Sequence, residues 1–466
     1  MPSPAATPER SLTRALATFA AETSFDELPD DLVETLKLAT LNILACCLGG
    51  SQTRIGRMHV ELARELGAGA EQATILGEGA RVSLPFAVYA NGNLAFALDY
   101  EDMLFAVAHP GFAAVSASLA LAEQRQLSGR EFLAALAVGY ESTARIALTM
   151  QPSHARARRV WGQQFHPFAS AGAAANILGL TPAEADAALG VAATYATVPS
   201  VYKYFGPVRD TRPIREVKQG WGWVAMGGLM AALSAQKGFR GGLGALDGEF
   251  GFWSMAGSDR FDPERGLDGL GTEWLTREIE YKLHPSIGIN HPAYWATSKL
   301  VREHDIDATT VERVTITTLW GNLLADTAPA GAVDAQFSLP YTVATAIDRR
   351  PLTPRLYDEE TLRDPLISRL LERTRVIHDA AADAAFYDEQ RIVQEIAIML
   401  SDGRTLTQAA EFPRDRPAIG ATEIEQKLHD LAGEVLSTER RKALIEAVHE
   451  LPSLDDVSTL IGLATA

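Results

Sequence analysis

Three acidic residues and one histidine lie within the thirteen residues of the segment DYEDMLFAVAHPG. Asp99, Glu101 and Asp102 follow the apolar run LAFAL, and His109 is followed by Pro110. Because proline is favoured in the first turn of a helix, His109 is predicted to be a helix N-cap, where the helix dipole disfavours a second proton on the imidazole. Carboxylates beside a neutral histidine can serve as a general acid and base. A solvated acidic turn beside a capping histidine would give the same pattern, so these residues alone leave both interpretations open.

Histidine–proline pairs occur four times, although the chain has only 10 histidines and 23 prolines. The pairs begin at His109, His166, His284 and His291. Each proline favours a histidine at the start of a structural element, so the pairs indicate either repeated helix capping or several histidines that converge on one polar pocket. His284 and His291 have no acidic residue or cysteine at ligand spacing beside them, so no metal site is expected.

Cationic residues are concentrated between Lys203 and Lys218, although the chain has a formal net charge of −17. Arg212, Arg215 and Lys218 are spaced three residues apart, which places them on one face of a helix predicted from Pro213 to Gly238. Lys218 lies near the start of that helix, where peptide N–H groups favour anions. The cluster therefore suits substrate carboxylates or phosphates, with a solvated basic face as the alternative.

The sequence pattern changes near Thr272, from helices rich in small residues to alternating strands. The segment VERVTITTL predicts a strand, and IVQEIAIMLSDGRTLTQAAEF predicts a hairpin that turns at Asp402–Gly403. We therefore predict a mainly α protein. Residues 1–272 and 416–466 would form a large helical domain, and residues 273–415 a smaller inserted α+β lid domain.

The junction between these two predicted domains is a second place where polar side chains could meet a ligand, since small molecules commonly bind between domains. Lys282 and His284 lie at this junction, in the segment YKLHPSIGINHP. Tyr341, in the segment FSLPY, begins a predicted lid helix and could place its phenol in the cleft.

Composition and local motifs argue against several classes of protein. The 466 residues are 47% hydrophobic, enough for a sizeable core, and the negative charge argues against general nucleic-acid binding. Cys46 and Cys47 are adjacent, so neither a disulfide between them nor a cysteine-ligated iron–sulfur cluster is expected. The segment GFRGGLGALDGEFGF has Asp247 in place of the third glycine of a dinucleotide fingerprint, and no cofactor is expected. Without an apolar N-terminal segment or a run of about 18 apolar residues, the chain is predicted to be cytoplasmic, with no membrane span.

The order of the motifs DYED, HPG, LAEQ and GREFLAALAVGYE resembles the MmgE/PrpD family, which includes 2-methylcitrate dehydratase, cis-aconitate decarboxylase and iminodisuccinate epimerase. The resemblance extends over nearly the whole chain and implies a homodimer. It also implies a catalytic set, which consists of Asp99, His109, His166, Lys218, Lys282 and Tyr341. Met103 departs from the family pattern, because family dehydratases and decarboxylases often have threonine there. The residues predicted to contact substrate are Met103, Lys203, Arg212, Arg215 and His284.

These observations predict a cofactor-independent lyase that acts on a small di- or tricarboxylate, with a dehydratase resembling 2-methylcitrate dehydratase as the first choice. Cationic residues would bind the substrate carboxylates and stabilise the negative charge that develops when a proton leaves the adjacent carbon. Asp99 or a neutral histidine would take that proton, and a second histidine would protonate the departing hydroxyl. Decarboxylation and epimerisation of related acids share this carbanion-like intermediate and remain alternatives. A catalytically silent carboxylate-binding protein is the alternative of a different class.

Overall fold

The computed structural model describes residues 11–104, 108–157, 165–196 and 220–466. Helices dominate these residues, and the predicted mainly α fold is confirmed. The helices before residue 272 are α1 Leu12–Glu22, α2 Asp30–Ser51, α3 Arg54–Gly67, α4 Leu84–Phe96, α5 Gly111–Arg125, α6 Gly129–Thr149, α7 His154–Ala157, α8 Pro167–Ile177, α9 Pro182–Tyr195, α10 Trp221–Gln236, α11 Phe252–Met255 and α12 Pro263–Leu267. Four two-residue strands form two small antiparallel pairs, β1 Ala73–Thr74 with β2 Arg81–Val82, and β3 Asp102–Met103 with β4 Glu280–Tyr281.

Helix α8 lies within the helical bundle and packs against α5, α6, α9 and α10. Most of its sequence, PFASAGAAANI, consists of small residues, so the neighbouring helices approach closely. At the contact with α10, a Cβ atom on Gly228 would overlap the carbonyl oxygen of Pro167. Because Pro167 follows His166, this close packing fixes the start of α8 and the histidine that precedes it.

A four-stranded sheet occupies the second half of the chain. Its strands are β5 Val311–Thr318, β6 Thr374–His378, β7 Ile392–Leu400 and β8 Thr405–Phe412, in the order β6-β5-β7-β8. Only β5 and β6 are parallel. The predicted strand and hairpin are confirmed, and Gly403 provides the left-handed turn residue with a φ of 87°. The helices of this region are α13 His291–His304, α14 Gly321–Leu324, α15 Ala332–Phe337, α16 Leu339–Ile347, α17 Glu359–Leu362, α18 Pro365–Glu372 and α19 Ala380–Glu389.

The C-terminal helices return to the helices of the first part of the chain. They are α20 Ala421–Ala432, α21 Thr438–His449 and α22 Ser458–Leu463, and α20 packs along α2. The side-chain amide of Gln52 donates a hydrogen bond of 2.5 Å to the carbonyl oxygen of Leu431. The division into a helical domain and an inserted lid, with boundaries near residues 273 and 415, remains a prediction.

Among the described residues, helix α2 is the one helix long and apolar enough to cross a membrane by length and composition. Within its most apolar window, 83% of the residues are buried inside the protein, because α4 and α20 both pack on it. This burial is typical of the core helix of a globular fold.

Two details of the sequence prediction are corrected at helix starts. Helix α5 begins at Gly111 with Pro110 as its N-cap, so His109 stands one residue before the cap. His166 is the N-cap of α8, and His291 is the first residue of α13. In the described chain α10 begins at Trp221, eight residues after the predicted start, and residues 213–219 lie outside the described ranges.

Candidate active site

A short pair of strands brings Lys282 to the acidic loop that follows α4. Strands β3 and β4 are antiparallel, with Asp102 opposite Tyr281, and Lys282 follows β4 directly. Asp99 turns the chain out of α4 with a φ of 51°, a left-handed conformation that aspartate adopts more readily than most residues. The acidic loop and the junction lysine, which are far apart in sequence, therefore meet in the fold.

The ammonium group of Lys282 contacts two carboxylates in the protein interior. It donates hydrogen bonds to the carboxylate of Asp99, to the carbonyl oxygen of Asp99 at 3.1 Å and to Oε1 of Glu101 at 2.9 Å. All three residues are at most 1% exposed. Burial alone would lower the pKa of Lys282, but the two carboxylates outweigh it and hold this pKa above its ordinary value. Burial also opposes ionisation of Glu101, yet Lys282 keeps the pKa of Glu101 below its ordinary value. Lys282 and Glu101 are therefore both charged at neutral pH.

His109 extends this set of contacts by one imidazole. Its Nδ1 lies 2.8 Å from Oε1 of Glu101 and 3.2 Å from the carbonyl oxygen of Asp102. Burial lowers the pKa of His109, and although Glu101 acts in the opposite direction, the pKa remains below its ordinary value. The imidazole is therefore neutral at neutral pH. With the Nδ1 proton donated to Glu101, the lone pair on Nε2 can accept a proton.

His166 has a different hydrogen-bonding role. Its Nε2 accepts a hydrogen bond of 2.9 Å from the backbone N–H of His109. A nitrogen that accepts a hydrogen bond carries no proton, so the neutral ring of His166 has its proton on Nδ1. Its ring packs against Phe112 and Trp221, with centroid distances of 5.4 and 5.0 Å. In this arrangement His166 orients the backbone of His109, whose own ring contacts the Glu101 carboxylate.

Asp102 forms a second polar contact on the other side of the loop. One carboxylate oxygen accepts a hydrogen bond of 3.2 Å from the backbone N–H of Gly111, and the other accepts one from the hydroxyl of Tyr140. A Cβ atom on Gly111 would overlap the Asp102 carboxylate, so this close approach requires glycine. Burial raises the pKa of Asp102 to about 7, despite the hydrogen bond from Tyr140. Asp102 therefore changes its charge near neutral pH.

Comparison with known protein families identifies the group to which this site belongs. The MmgE/PrpD N-terminal domain matches residues 14–264, and the MmgE/PrpD C-terminal domain matches residues 284–451. The chain belongs to the MmgE/PrpD family. This confirms the resemblance found in the sequence motifs.

Several curated MmgE/PrpD relatives align with almost the whole chain. A cis-aconitate decarboxylase-like protein, oryM, from Aspergillus oryzae is 26% identical, covering 98% of this chain and 98% of its own length. A cis-aconitate decarboxylase from Aspergillus terreus is 26% identical, covering 97% of this chain and 95% of its own. The Homo sapiens cis-aconitate decarboxylase is 23% identical, covering 97% of this chain and 94% of its own length.

The residues predicted for this MmgE/PrpD site divide into three groups. Asp99, His109, His166 and Lys282 lie together in the buried cluster. Lys203, Arg212, Arg215 and Lys218 lie outside the described residues, so their predicted contacts with substrate stay predictions. Tyr341, Met103 and His284 lie within the described residues, but their contacts are with residues outside this cluster.

Tyr341 is engaged by the protein itself. It is fully buried, its hydroxyl donates a hydrogen bond of 2.5 Å to the carbonyl oxygen of Leu356, and its ring stacks on Tyr357. The Tyr357 hydroxyl in turn donates to the carbonyl oxygen of Pro285. A catalytic role for the Tyr341 phenol therefore requires a rearrangement of the Leu356 contact.

Met103 and His284 are also buried. Met103 packs so closely on Gly288 that a Cβ atom there would lie 2.8 Å from its sulfur. The Nδ1 of His284 lies 3.0 Å from the Ser286 hydroxyl, and its ring contacts Tyr294. Within the described part of the chain, Nε2 of His284 has no hydrogen-bond partner, and burial holds the pKa of His284 well below its ordinary value.

Sequence reasoning missed three contributors to this cluster. Glu101 and Asp102 were noted as acidic loop residues but were not assigned to the site, although the pattern DYED contains both. Tyr140 belongs to the motif GREFLAALAVGYE, but nothing in the local sequence indicates its contact with Asp102. Among residues 11–104, 108–157, 165–196 and 220–466, no three His, Cys, Asp or Glu side chains are grouped so as to hold a metal ion.

Proposed function

We propose that this protein is a lyase that acts on a small polycarboxylate, and that it decarboxylates a β,γ-unsaturated tricarboxylate of the cis-aconitate type. The observation that carries this proposal is the buried contact of Lys282 with Glu101 and of Glu101 with His109, which places a cation beside a neutral imidazole. The names of the relatives favour decarboxylation over the dehydration predicted from the sequence.

Charge balance indicates where substrate recognition must come from. The cation of Lys282 is already offset by Asp99 and Glu101. A substrate with several negative charges therefore needs further cations, because like charges repel strongly in a low-dielectric site. Lys203, Arg212, Arg215 and Lys218 are the residues we expect to supply them.

The proposed chemistry shifts two electron pairs along three adjacent carbons. The bond between a CH2 carbon and its carboxylate breaks, CO2 leaves, and the freed pair forms a new C=C bond. The electrons of the original C=C bond move to the carbon beside another carboxylate. The cations expected from Lys203, Arg212, Arg215 and Lys218 stabilise this enediolate, because a positive charge in a buried site acts more strongly than in water. A proton added to that carbon completes the reaction.

His109 is the proposed proton donor in that last step. Its neutral ring can take up a proton from water on Nε2, because Nδ1–H already donates to Glu101. The resulting imidazolium is stabilised by the Glu101 carboxylate and then gives the proton to the carbanion. His166 holds the backbone of His109 in place throughout.

Incubation of the purified protein with cis-aconitate tests the proposal directly. We expect release of CO2 together with appearance of a 2-methylene dicarboxylate, followed by mass spectrometry and NMR. Parallel reactions with 2-methylcitrate and related hydroxy acids test dehydration, which gives a new C=C bond without CO2. Binding of these acids by calorimetry without any turnover would instead support the carboxylate-binding alternative and overturn the lyase proposal.

The homodimer and the cytoplasmic location are likewise proposals. Exposed apolar side chains between α10 and α12 support an association surface, since large apolar side chains that protrude from a fold commonly lie in interfaces. The most exposed of them are Leu243, Phe250 and Met255, which are 72%, 91% and 88% exposed.

A further inference from the structure

Lys427 is a buried lysine on the apolar face of a C-terminal helix. It lies in α20 on the stripe formed by Ile424, Leu428 and Leu431, and it is only 4% exposed. A lysine at such a position is unusual, because removal of an ammonium group from water costs several kcal/mol. Its neighbours on the stripe form part of the core against α2. Packing alone would favour leucine or methionine here.

The ammonium group of Lys427 contacts the backbone of the acidic loop. Nζ donates a hydrogen bond of 2.7 Å to Oδ1 of Asn42 and another to the carbonyl oxygen of Tyr100, and it lies 3.6 Å from the centroid of the Tyr100 ring. Within the described residues, no carboxylate lies within ion-pair distance of Lys427. Burial accordingly lowers the pKa of Lys427.

Tyr100 stands between the two residues that bind Lys282. A hydrogen bond to its carbonyl oxygen therefore fixes the backbone from which both Asp99 and Glu101 project. The ionisable groups that face Lys427 are Cys46 from α2, Glu101 and Asp102 from the loop, and Lys282 after β4. Two of these are acids of the site, so the charge of Lys427 also acts on the groups that surround His109.

We infer that Lys427 is a positioning residue of the active site: it anchors the acidic loop through the Tyr100 carbonyl and supplies a second buried positive charge that offsets Glu101 and Asp102. Its effect on turnover rests on the proposed function, whereas its effect on the loop and on His109 does not. Loss of this charge should favour protonation of the site, because Glu101 would then stabilise an imidazolium at His109 with less competition.

Two substitutions separate the charge of Lys427 from its packing. Lys427→Met keeps the length and apolar stem but removes the ammonium group. Asn42→Asp keeps Lys427 in place and adds a carboxylate at the position that now accepts its hydrogen bond. Lys442→Met, at an exposed position on α21, is the matched control. The Asn42→Asp variant keeps the test decisive if Lys427→Met does not fold.

Histidine-selective NMR titration measures the predicted effect without any substrate. We expect the midpoint of His109 to rise by at least about half a pH unit in Lys427→Met and in Asn42→Asp, and to be unchanged in Lys442→Met. A His109 midpoint unchanged in the folded variants, or moved equally by the control, would overturn the inference. If the wild-type protein turns over cis-aconitate, kcat/KM should also fall at least about tenfold in Lys427→Met, because the acidic loop loses its anchor at the Tyr100 carbonyl and this outweighs the change at His109. If the wild-type protein does not turn over cis-aconitate, the proposed reaction is wrong. The NMR titration of His109 then remains the test of the role of Lys427.

Discussion

Oε1 of Glu101 lies 2.9 Å from Nζ of Lys282 and 2.8 Å from Nδ1 of His109, so one carboxylate oxygen serves a cation and an imidazole at once. The other oxygen, Oε2, has no hydrogen-bond partner within the described chain. The charge of Glu101 therefore acts on both partners through a single atom, and a protonation change at His109 is coupled to the ion pair of Glu101 with Lys282.

Replacement of Glu101 by glutamine tests this coupling. The amide oxygen can still accept both hydrogen bonds, but the negative charge that stabilises protonated His109 is lost. We expect the pKa of His109 to fall further and kcat/KM with cis-aconitate to fall at least about tenfold, because the proton donor is less readily formed. Steady-state kinetics between pH 5 and 8 would measure the effect, with the exposed Glu61→Gln as control. Equal profiles for the two variants would contradict the coupling.

The buried charges around Lys282 should dominate the effect of its removal. Lys282→Met leaves Asp99 and Glu101 buried without their cation, and removal of one partner from such a group typically costs about 3–5 kcal/mol. We expect a loss of that order in the free energy of unfolding, measured by denaturant titration. The triple variant Asp99→Asn, Glu101→Gln, Lys282→Met should recover most of it, because no unpaired charge remains.

Arg302→Ala, at an exposed site on α13, is the control for this series and should change stability little. A triple variant no more stable than Lys282→Met would show that packing rather than unpaired charge causes the loss. Lys218→Ala stays a separate prediction: if it binds a substrate carboxylate, kcat/KM falls at least about tenfold.

The buried carboxyl group of Glu280 should make the free energy of unfolding depend on pH. Burial raises the pKa of Glu280 to about 8 in the folded protein, and Arg416, whose guanidinium lies 3.7 Å away, offsets this only partly. Because the folded pKa exceeds the ordinary value of 4.5, Glu280 contributes stability below that value and loses it as the pH rises towards 8. Between these two pH values, this one group lowers the free energy of unfolding by up to about 1.4 kcal/mol per pH unit.

Thermal or denaturant unfolding of Glu280→Gln between pH 5 and 8 measures this contribution. The variant should lose that part of the pH dependence and be more stable than the wild type at pH 8. Glu303→Gln, at an exposed position on α13, is the control. If Glu280→Gln keeps the full wild-type slope, another group causes the pH dependence.

The proposed dimer can be tested at the exposed apolar side chains. Phe250→Asp combined with Met255→Asp should convert a dimer into monomers, because charged side chains would have to be buried without partners in the interface. Analytical ultracentrifugation measures the change, with Leu66→Asp on α3, which is 60% exposed, as control. A monomeric wild-type protein would rule out the dimer, and an unchanged dimer would place the interface elsewhere.

Periodicity and motif order predicted the fold class and several of its elements. The strand after α13 and the hairpin at Gly403 followed from local alternation, which depends on neighbours in sequence. The structure brings Asp99, His109, His166 and Lys282 together, and their assignment as catalytic residues stays a prediction. The helix caps were less predictable, since a proline can occupy the cap itself, as Pro110 does, or follow it, as Pro167 does.

Long-range polar contacts had no comparable local signal. Tyr140 reaches Asp102 from α6, far from it in sequence, and only the fold reveals the contact. The sequence gives one indication of the role of Lys427, because a lysine on the apolar face of an amphipathic helix is unusual. That position does not identify the carbonyl group to which Lys427 donates. Hydrogen bonds that join distant helices depend on packing, which a single sequence does not specify.

The order of the cluster along the chain also has a consequence for biosynthesis. Glu101 obtains its cation from Lys282, 181 residues later, and Tyr100 obtains its donor from Lys427, 327 residues later. A ribosome that has made only the helices up to α12 therefore displays an acidic loop whose two buried cations do not yet exist. Nascent chains that stop before Lys282 should therefore be bound by chaperones or cut by proteases. Full-length chains should become resistant to proteases only when the last helices have left the exit tunnel.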